Sequence, residues 1–246
     1  MGNRVVLVTG AAKGLGRKII LEFAEKGYDV VINYCASKEK AEDLENAVKK
    51  LYNVKAISFC ADITKEVQVD MMINKIVEEF GRIDVLVNNA AIFEDCDFER
   101  RTAQSFKDTY EVNVVGAYNV SRAVSKYMLD NKYGKIINIS SNNSINCYDP
   151  VTMDYDCSKA ALNILTKDLS IQFAPYINVN AVAPGWVMTE AMENILTEDF
   201  LKYEKERILK ARFAKPEEVA KLVYFLASDD ADYINGEIIK IDGGTR

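Results

Sequence analysis

The sequence predicts one α/β domain, residues 1–246, with a doubly wound, seven-stranded parallel sheet that carries helices on both faces. Two observations predict this fold. Short, almost continuous apolar runs alternate with helical patterns along the whole chain, and no linker, repeat or low-complexity segment interrupts them. Apolar strands separated by helices are typical of a parallel sheet that is covered on both sides.

The first apolar run, residues 4–9, leads into a glycine-rich segment and an amphipathic helix that ends near residue 26. Glycines at such a turn let the backbone approach a pyrophosphate, and the helix N-terminus supplies free N–H groups. A plain strand-to-helix turn is the alternative. The segment predicts a dinucleotide site that includes Gly10, Lys13, Gly14, Leu15 and Gly16.

The second strand, residues 28–33, bears on the choice of dinucleotide. A carboxylate at its end would bind the adenosine ribose and select NAD, but Asn33 stands there. Ser37 and Lys38 follow, and together with Lys13 they suit a 2′-phosphate, so NADP(H) is favoured over NAD(H). In the alternative interpretation Ser37 caps the next helix, residues 37–51, and Lys38 is only solvated.

The remaining elements follow the same alternation. We expect strands at residues 54–60, 83–87, 135–140, 178–182 and 237–241, and helices at 64–80, 102–130, 154–173 and 216–227. Two helical patterns at about 189–210 form a substrate lid at about 186–212. Ligands of such sheets bind beyond the carboxyl ends of the strands. Asp62 and Ile63 lie at one such end, where an adenine could sit.

Composition excludes several classes of function. The chain is 49% hydrophobic and 28% charged, as is ordinary for a soluble globular protein. Its net charge of -6 argues against nucleic acid or an anionic membrane as the main partner. No apolar run approaches the ~18–20 residues of a membrane span. The chain begins directly with a strand, which leaves no room for a signal peptide, so we expect a cytoplasmic protein.

The reactive residue types narrow the chemistry further. The five cysteines are scattered and never spaced as CxxC, so we expect reduced thiols. The chain has no histidine, which excludes Ser-His-Asp and Cys-His catalysis and removes the commonest metal ligand. We predict no metal site. Acid–base work must therefore fall to Tyr, Lys, Asp or Glu.

Tyr155 and Lys159 are the strongest candidates for that work. Residues four apart share a helix face, so the phenol and the ammonium can point into one cleft. The positive charge would favour the phenolate and lower the tyrosine pKa towards neutrality. An ordinary surface Tyr-Lys pair is the alternative interpretation of these two residues alone.

An ordered series of motifs resembles the short-chain dehydrogenase/reductase family. The series consists of Thr9-x-x-x-Gly14-x-Gly16, Asn88-Asn89-Ala90, Asn113, Ser141, Tyr155-x-x-x-Lys159 and Pro184-Gly185. The resemblance covers essentially the whole chain and implies a Rossmann domain with a nicotinamide cofactor. It implies cofactor contacts at Asn88, Ala90, Tyr155, Lys159, Pro184, Gly185, Val187 and Thr189, and substrate contacts at Ser141, Tyr148, Met153, Trp186 and Met192.

The resemblance also implies roles. Tyr155 would exchange a proton with the substrate oxygen, and Ser141 would hold that oxygen. Lys159 would lower the pKa of Tyr155 and bind the nicotinamide ribose. Asn113 would order a water in the proton path, although it could instead be a polar residue at a helix kink.

Two departures from the family pattern concern the catalytic serine and its loop. The spacing from Ser141 to Tyr155 is one residue longer than is commonest in the family, which leaves Ser140 and Asn142 as alternatives. The loop 142–154 carries polar residues where the family often has Gly and Gln, namely Asn142, Asn143, Asn146, Tyr148 and Asp149.

Residues 30–40, 178–185, 212–219 and 233–244 most resemble 3-oxoacyl-acyl carrier protein reductases, which use NADPH to reduce a β-keto thioester in fatty-acid synthesis. Lys126, Lys132 and Lys135 could form a basic patch for the acidic carrier protein. The stretch between Phe173 and Val179 lacks a second basic residue.

Two other functions stay open. The first is an NAD(P)-dependent dehydrogenase of a small sugar, polyol or other secondary alcohol, whose hydroxyls the polar loop would suit. The second is a non-catalytic dinucleotide-binding scaffold. The resemblance further implies a homotetramer that pairs through the helices at about 102–130 and 154–173 and through the C-terminal strand.

Overall fold

The computed structural model describes residues 2–193 and 196–246, and within them it contains a seven-stranded parallel sheet. The strand order is β3-β2-β1-β4-β5-β6-β7. Strands β1 to β7 are Val5–Val8, Asp29–Tyr34, Ala56–Cys60, Val85–Asn88, Gly134–Ile139, Ile177–Pro184 and Ile238–Ile241. The order reverses between β1 and β4, where doubly wound sheets open a crevice for ligands. The predicted fold class is confirmed.

Helices connect successive strands and cover both faces of the sheet. In the described ranges α1 to α9 are Gly14–Glu25, Lys38–Leu51, Glu66–Phe80, Ala103–Tyr110, Ala117–Asp130, Met153–Gln172, Glu190–Glu193, Glu198–Arg207 and Pro216–Ala227. None of these helices is long and apolar enough to cross a membrane.

Two apolar cores form because successive strand residues point to opposite faces of the sheet. Val6 and Val8 of β1 enter one core with helices α1, α2 and α9. Val5 and Leu7 enter the other with α3, α5 and the end of α6. Every residue of β1 is buried, which explains its unbroken apolar sequence.

The helix predicted at 102–130 is interrupted. Between α4 and α5 the backbone takes a π-helical form over Glu111–Gly116. Gly116 lies against the turn that follows β3, since a Cβ on it would come within 2.6 Å of the Ile63 side chain. Single-turn π segments of this kind are frequent at functional sites.

Helix α3 begins two residues later than predicted. The Asp62 carboxylate accepts hydrogen bonds from the Thr64 backbone N–H (2.9 Å) and the Thr64 hydroxyl (2.8 Å), which holds residues 62–64 in a turn. The helical patterns predicted for the lid correspond to α7 and α8. Residues 194 and 195 of that lid lie outside the described residues.

Candidate active site

The glycine-rich segment after β1 forms a tightly held turn. Gly10 and Gly14 adopt left-handed backbone conformations, with φ of 60° and 57°. The Asn89 Nδ2 atom donates hydrogen bonds to the carbonyls of Thr9 (2.9 Å) and Gly10 (3.2 Å). A Cβ on Gly16 would lie 2.6 Å from Asn89 Nδ2. The turn therefore requires glycine where it touches the end of β4.

A cavity of about 1680 Å³ runs along this turn. Lys13, at the N-cap of α1, makes no side-chain cap bond, so the first N–H groups of the helix are free of a cap. Predicted cofactor and substrate residues that line the cavity are Gly10, Lys13, Gly14, Leu15, Gly16, Asn33, Asp62, Ile63, Ala90, Thr189 and Met192.

Ser37 and Lys38 were predicted to bind a 2′-phosphate, and that stays a prediction. Neither residue lines the cavity, and the exposed Lys38 pairs with Glu42 at 3.6 Å. Arg17 and Lys40 line the cavity instead. Successive residues of an α-helix are rotated by 100°, so the side chain of Lys40 points in a different direction from that of Lys38. The Lys38–Glu42 spacing in the sequence could have signalled that pair.

Asn33 has a structural task that the sequence did not reveal. Its side chain is 1% exposed. Its Nδ2 atom donates to the Ala61 carbonyl (3.0 Å), and its Oδ1 atom accepts from the Gly10 N–H (3.3 Å). Asn33 thus fixes the glycine turn to the end of β3, in addition to lining the cavity.

Tyr155, Lys159 and Ser141 meet where β5 ends and α6 begins. The Ser141 hydroxyl lies close enough to the Tyr155 phenol to act on its pKa. The Lys159 Nζ atom lies 5.4 Å from the centroid of the Tyr155 ring and donates to the Ile139 carbonyl at 2.7 Å. Phe93 packs edge-on against the Tyr155 ring, with the centroids 5.9 Å apart.

Burial governs the ionisation of both groups in this structure. It raises the pKa of Tyr155 to about 12, against the opposite effect of the nearby Ser141 hydroxyl, and lowers the pKa of Lys159 to about 7. The expected fall of the tyrosine pKa towards neutrality is therefore wrong for this structure. Desolvation disfavours both charged forms, and the lysine nitrogen bonds a carbonyl instead of the phenol. At neutral pH Tyr155 is protonated, which is the form that a proton donor needs.

The geometry distinguishes the three candidates near position 141. The Ser140 hydroxyl donates to Asn163 Oδ1 (2.7 Å) and contacts the Ser144 hydroxyl (3.1 Å). Asn142 is buried, and its Nδ2 atom donates to the Cys147 sulfur. Ser141 is the candidate whose hydroxyl reaches Tyr155.

Asn113 and Asn88 are both buried in hydrogen-bond networks. Asn113 lies in the π-helical segment, where it donates to the Ile92 carbonyl and the Ser158 hydroxyl, both at 3.0 Å. Asn88 donates to Ser121 (3.0 Å) and Asn138 (2.8 Å). These bonds fasten the cavity wall to α5, α6 and the sheet. The cofactor contact of Asn88 stays a prediction.

Residues after β6 shape the lid. Pro184 ends β6, and a Cβ on Gly185 would meet Asp242 at 3.0 Å. Val187 bridges to Ala214. Trp186 donates through Nε1 to Glu204 (2.9 Å) and packs against the rings of Phe200 and Phe213, so it anchors α8.

Tyr148 and Met153 flank the start of α6. The Tyr148 side chain is 76% exposed, and its hydroxyl donates to the Ile145 carbonyl at 2.8 Å. Met153 is the first residue of α6, two positions before Tyr155.

Lys135 cannot belong to the basic patch that was predicted with Lys126 and Lys132. Lys135 is 1% exposed and donates to Asn178 (2.9 Å) and Asp232 (2.5 Å). It is the second residue of β5, so it lies at the sheet edge opposite the carboxyl ends of the strands, and Lys132 precedes that strand. A lysine that is buried in an ion pair at that edge cannot contribute to a surface beside the cavity.

Comparison with known proteins assigns the family. A family model described as enoyl-(acyl carrier protein) reductase matches residues 10–246. The 3-oxoacyl-acyl carrier protein reductase of Staphylococcus epidermidis is 39% identical over 243 residues, 98% of each chain. That of Thermotoga maritima is 38% identical over 98% of this chain and 97% of the relative.

A solved structure agrees with these relatives. The gluconate 5-dehydrogenase from Burkholderia cenocepacia in complex with NADP and tartrate superposes with a TM-score of 0.90, at 31% identity, over 99% of this chain and 95% of its own. The chain belongs to the short-chain dehydrogenase/reductase family. It is an oxidoreductase that acts on CH–OH groups with a nicotinamide dinucleotide.

The cavity fits such a dinucleotide. The glycine turn brings backbone close to a bound pyrophosphate, the uncapped start of α1 offers N–H groups to its charge, and Lys13, Arg17 and Lys40 supply cations. Asp62 and Ile63 form the wall beyond β3.

Proposed function

We propose that this protein reduces the keto group of a 3-oxoacyl thioester, as 3-oxoacyl-acyl carrier protein reductases do, with NADPH as the cofactor. NADPH, when bound, would supply the hydride for the carbonyl carbon. Tyr155 donates its phenolic proton to the carbonyl oxygen, and Ser141 holds that oxygen where negative charge develops. Lys159 carries a proton close to the phenol and replaces the one that Tyr155 gives up.

The observation that carries the proposal is the apolar mouth beside Tyr155. Two segments joined by the Cys96 N–H bond to the Val151 carbonyl (3.0 Å) expose large apolar side chains. They are Ile92, Phe93, Phe98, Tyr148 and Val151. Phe93 is 60% exposed while its ring packs against Tyr155. An acyl chain gains from covering such surface, by ~25 cal/mol for each Å² removed from water.

A small sugar or polyol is the second candidate, since a gluconate 5-dehydrogenase superposes closely on this chain. The hydrogen bonds within the polar loop after Ser141 argue against a sugar or polyol substrate. Asn143 donates to Asp156 (2.9 Å), Asn146 donates to the Thr245 carbonyl (3.4 Å), and Asp149 accepts from the Val151 N–H (3.1 Å). These side chains stabilise the loop and leave little capacity for substrate hydroxyls.

NADPH is proposed over NADH because Lys13, Arg17 and Lys40 line the same cavity as Asn33 at the end of β2. Asn33 at that end carries no charge that would repel a 2′-phosphate. A scaffold without turnover is not supported, because Ser141 and Lys159 both lie close to Tyr155.

Turnover of NADPH against a panel of carbonyl compounds tests the proposal. The panel contains a 3-oxoacyl thioester on acyl carrier protein, the same acyl group on coenzyme A, an enoyl thioester and a keto-sugar acid. We expect the 3-oxoacyl thioesters to have the highest kcat/KM. A keto-sugar acid or an enoyl thioester that exceeds them would refute the proposal, and the ratio of the two 3-oxoacyl carriers measures the contribution of the carrier protein.

A further inference from the structure

A buried ion pair joins the start of α6 to the segment that follows β4. The Arg101 guanidinium contacts the Asp154 carboxylate, and the two side chains are only 3% and 1% exposed. A buried ion pair is often no more stabilising than an apolar pair of the same volume. Its position, immediately before Tyr155, therefore requires another explanation.

The Asp154 carboxylate organises the first turn of α6. Its Oδ1 atom accepts from the Tyr155 N–H at 2.8 Å, and its Oδ2 atom accepts from the Thr109 hydroxyl of α4 at 3.3 Å. A carboxylate is favourable at this end of a helix. The backbone of Tyr155 is thus bonded directly to one partner of the ion pair.

The Arg101 guanidinium binds the backbone of residues 94–96, which face the start of α6. Its Nη2 atom donates to the carbonyls of Cys96 (3.0 Å), Glu94 (3.3 Å) and Val151. This holds residues 94–96 against the turn that precedes α6. Phe93 precedes that segment directly and packs on the Tyr155 ring.

We propose that Arg101 and Asp154 are a positioning pair for Tyr155. Asp154 fixes the backbone of Tyr155, and Arg101 fixes the segment that carries Phe93 against the Tyr155 ring. Neither residue touches the reacting atoms. The proposal rests on the proposed function only in that Tyr155 is the proton donor. The planar guanidinium of Arg can bind a carboxylate and several carbonyls at once, so Arg suits this position better than Lys.

The test separates stability from positioning. In Arg101→Met one charge is left buried without its partner, so we expect the Tm to fall by roughly 10 °C. The double variant R101M/D154L replaces the pair by apolar groups and should regain most of that loss. Its kcat should nevertheless stay about 100-fold below the wild type, because small misplacement of a catalytic group has effects of that size. KM for the carbonyl should change by less than about threefold.

Hydrogen exchange supplies a measurement that needs no substrate. Residues 91–101 and 150–158 should exchange faster in R101M/D154L, while the sheet keeps its wild-type rates. Arg101→Lys keeps the charge but loses the fork, so it should keep the wild-type Tm within a few degrees and still lower kcat. It serves as the second variant if the double variant does not fold.

The control is another buried cation that forms an ion pair, Lys135 with Asp232. K135M/D232L alters a pair at the opposite edge of the sheet and should leave kcat within twofold of the wild type. The proposal is overturned if R101M/D154L regains kcat together with stability, or if exchange of the two segments is unchanged. A wild type that reduces no 3-oxoacyl thioester would defeat the proposed function alone, because the exchange result still decides the positioning role.

Discussion

Ser140 and Ser141 are adjacent, but their hydroxyls have different surroundings. The Ser141 hydroxyl reaches the Tyr155 phenol, whereas the Ser140 hydroxyl donates to Asn163 and contacts Ser144. Asn163 in turn donates to Ser144 at 2.8 Å, so Ser140 belongs to a network that supports the loop. The Ser141 hydroxyl therefore points towards Tyr155, whereas the Ser140 hydroxyl is bonded to Asn163 and Ser144.

We therefore predict opposite effects of the two alanine substitutions. Ser141→Ala should lower kcat by ~10²–10³, as expected when a donor to a developing oxyanion is lost, and should change stability little. Ser140→Ala should lower the free energy of unfolding by about 1–3 kcal/mol, because buried partners lose their bonds. Steady-state kinetics and urea unfolding of both variants check this, and a larger kcat loss in Ser140→Ala would exchange their roles.

The lowered pKa of Lys159 predicts that the stability of the protein depends on pH. Burial lowers the pKa of this lysine from 10.5 to about 7 in the folded protein. Between those values the unfolded chain binds a proton that the folded chain does not, so this residue makes stability rise with pH from about 7 towards 10. Lys159→Met should abolish that part of the rise. Urea unfolding at pH 7 and pH 9 measures it, and equal pH dependence in both proteins would count against the assignment.

How much of the site could be predicted from the sequence depends on what a residue contacts. Tyr155 and Lys159 were predicted together because their helical spacing places them on one face. The bonds of Asn33, the ion pair of Lys135 and the pairing of Arg101 with Asp154 could not be predicted, because the partners lie far away in the chain. A sequence gives the position of such a polar residue but not the atom that satisfies it.

At the scale of elements, the start of α2 decides which cations face the cavity. Lys40 lines it, and the exposed Lys38 pairs with Glu42. The sequence placed both lysines at the end of β2 but could not give the rotation of the helix, since a shift of one residue at its start turns every side chain by 100°.

These two lysines give a matched pair for the cofactor preference. Lys40→Glu should weaken NADPH binding roughly tenfold relative to NADH, because it places a negative charge beside the 2′-phosphate. Lys38→Glu makes the same change of charge outside the cavity and should leave the ratio nearly unaltered. Fluorescence titration with both cofactors measures the ratio, and equal effects of the two substitutions would remove Lys40 from the site.

The π-helical segment shows a second limit of sequence patterns. A continuous helix was predicted at 102–130. A π-helical turn contains one residue more than an α-helical turn, and this changes the apolar periodicity of a long helix very little. The bonds of Asn113 to Ile92 and Ser158 support the distortion. They depend on tertiary contacts that the pattern does not contain.

At the scale of the whole molecule, the alternation of strands and helices was sufficient to predict a doubly wound sheet. Parallel strands joined by helices pack back onto the sheet almost always with right-handed crossovers, which leaves few topologies. The observed reversal between β1 and β4 then places the glycine turn and Asn89 side by side. The position of the site follows from the fold, whereas its hydrogen bonds do not.

Assembly is a prediction at this scale. Helices α5 and α6 bury one face each and still expose large apolar residues, namely Tyr118, Leu129, Ile164 and Ile171. We expect these helices to pair with those of a second copy, and the resemblance to the family implies a tetramer. Sedimentation at micromolar concentration should show a species heavier than 27.6 kDa, and Ile164→Asp should reduce its mass. A wild-type monomer would contradict the expectation.

The central claim is that Tyr155 is the proton donor of a carbonyl reductase. The most direct test compares the NADPH-dependent reduction of a 3-oxoacyl thioester by Tyr155→Phe with that by Tyr148→Phe. Each substitution removes one hydroxyl beside the same mouth, but the Tyr148 hydroxyl only donates to the Ile145 carbonyl. Tyr155→Phe should lose at least ~10²–10⁴ in kcat while it keeps its fold and its cofactor affinity. Tyr148→Phe should remain within threefold of the wild type, and the reverse result would contradict the account.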